Sequence, residues 1–139
     1  MGYVFERKIN YYETDRMGIV HHSNYIRFLE ESRCWLLEEI GIPFAMLEEN
    51  GITIPVLEVN CIYKHHVTFA DTILINVKVS EYNGVRMKFE YEVTDKKTGS
   101  LVMHAETKHC FTDKKIKPIN LKKFAPEFDK KFAELKNIS

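Results

Sequence analysis

"SNYIRFLEESRCWLLEEIG", residues Ser23 to Gly41, decides the fold. Tyr25, Phe28, Leu29, Ser32, Trp35, Leu36 and Ile40 recur at spacings of three and four, the period of one helix face, and Ile26, Arg33 and Leu37 widen that face on one flank. Only a narrower band through Arg27, Glu30, Glu31, Cys34 and Glu38 remains for solvent or a partner. A helix this apolar has to be covered on more than one side. The spacing predicts a helix over Asn24 to Ile40, with Ser23 or Asn24 as its N-cap, Gly41 just past its end and Pro43 preventing continuation.

On either side of this helix the pattern changes. Upstream, Val4 to Tyr12 alternates as a strand of imperfect amphipathicity and runs into a polar loop holding Asp15 and Gly18. Downstream, Phe44 to Asn50 reads as a short helix capped by Gly51. Beyond Ile52 the period becomes two: Leu57, Val59, Cys61 and Tyr63 alternate with polar neighbours, as do Ile73, Ile75, Val77 and Val79. "VRMKFEYEV" is the most regular, with Val85, Met87, Phe89, Tyr91 and Val93 facing one way and Arg86, Lys88, Glu90 and Glu92 the other. Asn83-Gly84 predicts a type I′ hairpin turn before it. Thr98-Gly99 turns the chain into a last strand, Ser100 to Phe111, and a Lys-rich segment, about 118–139, carries a helix from Pro126 to Lys136. One strand, a long helix and four mainly antiparallel strands predict an α+β domain in which a curved sheet wraps the helix.

Composition excludes several classes of function. At 139 residues and 45% hydrophobic content, the chain is read as a single domain over residues 1–139. Its 20 basic and 20 acidic side chains cancel, which argues against a nucleic-acid binder driven by overall charge. Between Lys114 and Lys136 there are eight lysines against three acids, a pattern usual for a solvated helix face. Cys34, Cys61 and Cys110 are odd in number and widely spaced, so they are read as buried free thiols in a reducing compartment. No run approaches the roughly twenty apolar residues of a membrane span, and a cytoplasmic location is expected.

The candidate site precedes the long helix. A helix start needs one capping side chain, which leaves most polar groups between Glu13 and Asn24 surplus to folding. Asp15 is either a turn residue or a displayed carboxylate. Gly18 either supplies a positive φ or lets a ligand approach the backbone. His21 and His22, being adjacent, share no helix or strand face and make a poor chelate, and no HExxH or Cys pair completes a metal site. A loop His that hydrogen-bonds only locally is the commoner reading; another joins these residues to the helix start, where unpaired N–H groups can stabilise a developing oxyanion. His65-His66 and Asp71 read as surface and turn residues. No P-loop, dinucleotide fingerprint or serine elbow is present.

"YETDRMGIVHHSNYIRFLEESR", residues Tyr12 to Arg33, resembles the signature of the hotdog-fold acyl-CoA thioesterases of the 4-hydroxybenzoyl-CoA thioesterase class, in particular their YbgC-like branch. That signature runs Asp-Thr-Asp, two variable residues, Gly, two apolar residues, Tyr-His, one variable residue and Asn-Tyr. Thr14-Asp15, Gly18, Ile19-Val20, His22 and Asn24-Tyr25 keep its spacing. "YKHHVTFADTILINVKV", Tyr63 to Val79, resembles the family's entry into its third strand, and the likeness extends over about Val4 to Thr112. Glu13 stands where the family often has Asp, and His21 where it often has Tyr or Trp.

The resemblance implies a hotdog fold and hydrolysis of an acyl-CoA thioester, with Asp15 and His22 catalytic and Gly18, His21, Asn24 and Tyr25 in contact with substrate. Asp15 would attack the thioester carbonyl or orient water, and the His22 backbone N–H would polarise the carbonyl. It further implies no cofactor and no metal, since a thioester is already an activated acyl group, and a homodimer or homotetramer with the site at the subunit boundary. Acyl carrier protein is an alternative thiol carrier. Lys64, Arg86, Lys88 and the tail lysines are candidates for meeting CoA phosphates. Two rival readings are a non-catalytic acyl-CoA-binding module and a hotdog hydratase or dehydratase.

Overall fold

The computed structural model describes residues 2–138. The expected alternation is fullest in β4 (Arg86–Asp95), where Met87, Phe89, Tyr91 and Val93 are buried while Arg86 and Glu92 are exposed. β4 lies at the centre of a five-stranded sheet in the order β1 (Tyr3–Lys8), β3 (Thr72–Tyr82), β4, β5 (Leu101–Cys110), β2 (Val56–Tyr63), with every neighbouring pair antiparallel. Against its apolar face lies α1 (Ser23–Glu39), which buries Tyr25, Phe28, Leu29, Ser32, Arg33, Leu36 and Leu37. Ser32 is satisfied within the helix by donating to the Leu29 carbonyl at 2.6 Å. Trp35 is only half-buried and covers Tyr3 and Phe5 of β1.

Three shorter helices complete the fold: α2 (Phe44–Glu49), α3 (Leu121–Phe124) and α4 (Pro126–Ile138). Helix α4 buries Phe128, Phe132 and Leu135, and the Phe132 ring packs on Tyr82 and Phe111. The Tyr82 hydroxyl donates to Asp129, which ties α4 to the end of β3.

Four local expectations are corrected. The first strand ends at Lys8, not Tyr12: Ile9 N–H turns to the Asp71 carbonyl, and a 3-10 turn follows at Tyr11–Glu13, leaving Tyr11 and Tyr12 exposed. Neither Ser23 nor Asn24 caps α1; the N-cap is His22, with no side-chain cap. At the β3–β4 turn only Gly84 has positive φ, so the turn is not type I′. Asn83 acts there through its side chain, Oδ1 accepting the N–H groups of Val85 and Arg86. Finally, Cys110 is buried but Cys34 and Cys61 are only half-buried; all three are free, and burial raises the Cys34 and Cys61 thiols above their ordinary range.

The loop before α1 is fixed to the sheet by one ion cluster. Arg7 of β1 donates to both carboxylate oxygens of buried Glu13, at 2.8 and 2.6 Å, and to Glu31 of α1 at 2.8 Å. Its guanidinium lies 4.6 Å from the centre of the Phe28 ring. Hydrogen bonds donated to Glu31 first, and then to Glu13, hold Arg7 protonated far above any working pH, against the opposing effect of burial. Breaking a buried pair leaves one charge uncompensated. Glu13→Gln is expected to lower unfolding stability by about 3 kcal/mol, read as a lower urea midpoint with unchanged slope; a midpoint equal to wild type would show that Glu31 alone suffices for Arg7.

Candidate active site

Residues 13–21 form a tight hairpin. Thr14 bridges Val20, Asp15 N–H donates to the Ile19 carbonyl at 2.9 Å, and His21 N–H donates to the Glu13 carbonyl at 2.9 Å. Val20 N–H in turn pairs with the Val67 carbonyl, joining the hairpin to the segment before β3. Asp15 sits at the tip and is half-buried. Its Oδ1 accepts the Met17 N–H at 2.8 Å and its carbonyl accepts the Gly18 N–H at 2.9 Å. Oδ2 has no protein partner among the described residues. The carboxylate is thus held by one oxygen and open at the other.

Gly18 has φ +79°, a left-handed conformation, and a Cβ there would meet nothing within 4 Å. The backbone of the turn, rather than crowding, accounts for glycine. Asn24 donates its amide to the Glu13 carbonyl at 2.8 Å, which explains why it does not cap the helix. Tyr25, 5% exposed, packs on Phe28 and Tyr63, and burial, with Tyr63 adding to it, pushes its hydroxyl up to about 12.

The helix start is less open than a bare terminus. Ser23 N–H donates to His21 Nδ1, Asn24 N–H to the His21 carbonyl and Tyr25 N–H to the His22 carbonyl. Ser23 Oγ also bonds His21 Nδ1, at 2.8 Å. The His22 N–H has no protein acceptor among the described residues. The two imidazoles stack with centroids 4.4 Å apart, and neither bonds the Asp15 carboxylate. Within one chain the arrangement is a half-free carboxylate on a hairpin and one free N–H at the start of a helix. Among the described residues no group of three His, Cys, Asp or Glu side chains is placed to hold a metal ion.

Farther along α1 lies a buried polar chain whose members sequence reading did not join. Arg33 Nη1 donates to the Tyr91 hydroxyl at 3.0 Å, Tyr91 contacts Thr107 Oγ1 at 2.6 Å, and Thr107 contacts His109 Nε2 at 2.8 Å. The direction of the Tyr91, Thr107 and His109 bonds follows the His109 tautomer: either Nε2 accepts from Thr107 and Nδ1 carries the hydrogen, or the reverse. That Nδ1 is buried with no hydrogen bond, although the Pro55 and Ile54 carbonyls lie near enough to favour the protonated ring. Burial and the Arg33 charge outweigh them and bring His109 down to about 4. Among the suggested phosphate contacts, Lys88 is already placed between Glu81 and Glu106, at 3.8 and 3.5 Å, while Lys64, Arg86 and the tail lysines are exposed.

The comparisons with known proteins bear on the family and the fold. The Thioesterase-like superfamily model matches residues 9–134, which include the hairpin, α1 and the whole five-stranded sheet apart from β1. The chain belongs to that superfamily. This thioesterase-like chain is 30% identical over 132 residues to YneP of Bacillus subtilis, which carries a provisional acyl-CoA thioesterase name, covering 94% of this chain and 95% of YneP. It is 28% identical over 90 residues to the acyl-CoA thioesterase YbgC of Haemophilus influenzae, covering 64% and 66% of the two chains. In structure, the DHNA-CoA thioesterase of Staphylococcus aureus superposes with a TM-score of 0.91 at 26% identity, covering 97% of this chain and 91% of the other. The fold is therefore the hotdog fold of these thioesterases.

His109 gives this superfamily member a definite response to acid. Its folded pKa, about 4, lies below the ordinary histidine value of about 6.5, so the unfolded chain binds the extra proton between those limits. Stability from the neutral ring is complete above about pH 6.5 and declines as pH falls toward 4, by up to about 3 kcal/mol. Urea unfolding from pH 7 to 4 is expected to show this decline, and His109→Gln to flatten it; equal slopes in both proteins would refute the assignment.

Proposed function

We propose that the chain hydrolyses the thioester of an acyl-CoA, or of an acyl carrier protein, to the free acid and thiol. The observation that carries this is Asp15, anchored through Oδ1 and free at Oδ2, on a hairpin that leads directly into the unpartnered N–H of His22. The superfamily membership and the named relatives support the same chemistry.

A carboxylate is a weak base and an available nucleophile. Asp15 either attacks the thioester carbon, forming a mixed anhydride as the carbon–sulfur bond breaks and the thiolate leaves, or orients the water that attacks. In the first route water then cleaves the anhydride and restores the carboxylate. Both routes place negative charge on the carbonyl oxygen, where the His22 N–H at the positive end of the α1 dipole donates. One such donor is worth roughly 10²–10³ in rate. His21, bonded to Ser23 and stacked on His22, keeps the helix start in place.

The second element of the reading is a homodimer. β2 lies at the edge of the sheet, and Val56, Leu57, Val59, Ile62 and Tyr63 are 38–52% exposed on it. A long apolar edge strand invites pairing, and β2 of a second copy, related by a twofold axis, is the partner of matching chemistry.

Thiol release from a panel of short-chain, long-chain and aromatic acyl-CoAs tests the first element. Asp15→Asn is expected to lower kcat/KM at least 100-fold on whichever thioester the wild type cleaves, with an unchanged circular dichroism spectrum. Equal rates in the two proteins would remove Asp15 from the mechanism, and release of a hydrated or dehydrated acyl-CoA without free thiol would favour the hydratase reading. For the second, light scattering is expected to give twice the chain mass for wild type and the chain mass for Leu57→Lys/Val59→Lys; a monomeric wild type would sink the dimer.

A further inference from the structure

Two arginines are drawn in against α1, and only one has its charge matched. Arg7 meets Glu13 and Glu31. Arg33 is 7% exposed and makes no ion pair with any described residue. Its one side-chain hydrogen bond is Nη1 to the neutral Tyr91 hydroxyl, which leaves Nε and Nη2 without a protein acceptor among the described residues. A guanidinium presents five N–H donors, and an ionised group withdrawn from water without a counter-charge is costly.

These donors stand beside a cavity of about 270 Å³ bounded by α1, α2, the start of β2 and the inner faces of β4 and β5. Leu37, Phe44, Ile54 and Phe89 make its walls apolar, and Cys34 lines it with a thiol that burial keeps protonated. Glu30 also lines it, is exposed, and forms no ion pair with Arg33. His109 lines the same space, 1% exposed, with its Nδ1 lacking a partner. The chain from Arg33 through Tyr91 and Thr107 fixes the guanidinium and the imidazole relative to one another. A cationic fork within apolar walls suits an organic anion better than a hydrated inorganic one, and among organic anions a carboxylate matches the fork with two oxygens.

We propose that this cavity receives a carboxylate borne on a short apolar body, with Arg33 Nε and Nη2 as its donors. On the thioesterase reading, on which this part rests, the carboxylate is the far end of the acyl group. From His22 to Arg33 is roughly 16 Å along the helix, so a long dicarboxylic acyl chain lying on α1 would set its thioester at the hairpin and its free carboxylate in the cavity. A free carboxylic acid is the other source of the same chemistry.

The experiment has two arms on the intact protein. In the first, hexanoate and the neutral hexanamide are titrated while the His109 ring signals are followed by NMR. Hexanoate is expected to shift them saturably and hexanamide not, with binding at least tenfold weaker in Arg33→Met and partly retained in Arg33→Lys. In the second, kcat/KM is compared for dodecanedioyl-CoA and dodecanoyl-CoA. The carboxylated substrate is expected to lead at least tenfold in wild type, and the ratio to fall to near one in Arg33→Met. A response in both arms, or in the hydrolysis arm alone, assigns the cavity to the acyl end; a response to hexanoate alone assigns it to a free acid. No response in either arm, or equal binding of hexanoate and hexanamide, overturns the proposal, and the wild-type comparison decides this even where Arg33→Met fails to fold. Thiol release from neither thioester while hexanoate still binds would reject the assignment to the acyl end and leave the cavity to a free acid, while the panel and Asp15→Asn decide the hydrolase reading separately.

Discussion

The pairing of Arg7 with Glu13 is the constraint from which the rest of the site follows. Glu13 is buried, so its carboxylate is tolerable only because the guanidinium takes both oxygens and the Asn10 N–H adds a third donor. Once its side chain is fixed on β1, its carbonyl faces the chain that returns from the hairpin. That carbonyl receives the His21 N–H and the Asn24 amide. One residue therefore sets the strand, the hairpin and the first turn of α1 in register. Glu31 extends the same cluster onto the helix, so the loop carrying Asp15 is clamped at its base although its tip is open. A catalytic loop needs this combination of rigid support and accessible end.

The free N–H at His22 is a consequence of this clamp. An ordinary N-cap by Ser23 or Asn24 would have moved the helix start and satisfied other N–H groups. Because Asn24 is drawn to Glu13 and Ser23 to His21, the helix begins one residue earlier, with His22 in a helical conformation at the cap position. The N–H groups of Ser23, Asn24 and Tyr25 are paired locally, and the unpaired donor is confined to the residue nearest the hairpin. A dipole whose free donor is a single group acts at a point, which is what a developing oxyanion requires.

What could be read in the sequence divides along the same physical line. Period and local turn chemistry carried the long helix, β4, the Thr98-Gly99 turn and the expectation that Asp15 and Gly18 form a displayed loop, because each depends on neighbours a few residues apart. The end of β1 was hidden, since Tyr11 and Tyr12 continue the alternation but face solvent in a 3-10 turn. β2 alternates like its neighbours, yet it is exposed almost throughout because it is an edge, and edge or centre is a property of topology. Least visible was the chain from Arg33 to His109. Its first bond joins residues 58 apart, and each member read alone fits an amphipathic pattern.

The two arginines show how one helix can separate structure from binding. Both guanidiniums are held back from water, Arg7 near the first half of α1 and Arg33 in its second half. At Arg7 the protein supplies the counter-charges itself, and the result is a clasp whose partners leave no donor pair for an outside ligand. At Arg33 the protein supplies a hydroxyl, which fixes the orientation of the guanidinium but leaves its charge uncompensated. An apolar side chain of similar volume would have filled the position without that cost. A charged group kept at such a position, beside a cavity and linked through Tyr91 and Thr107 to a buried histidine, is accounted for by a ligand that brings the missing negative charge with it.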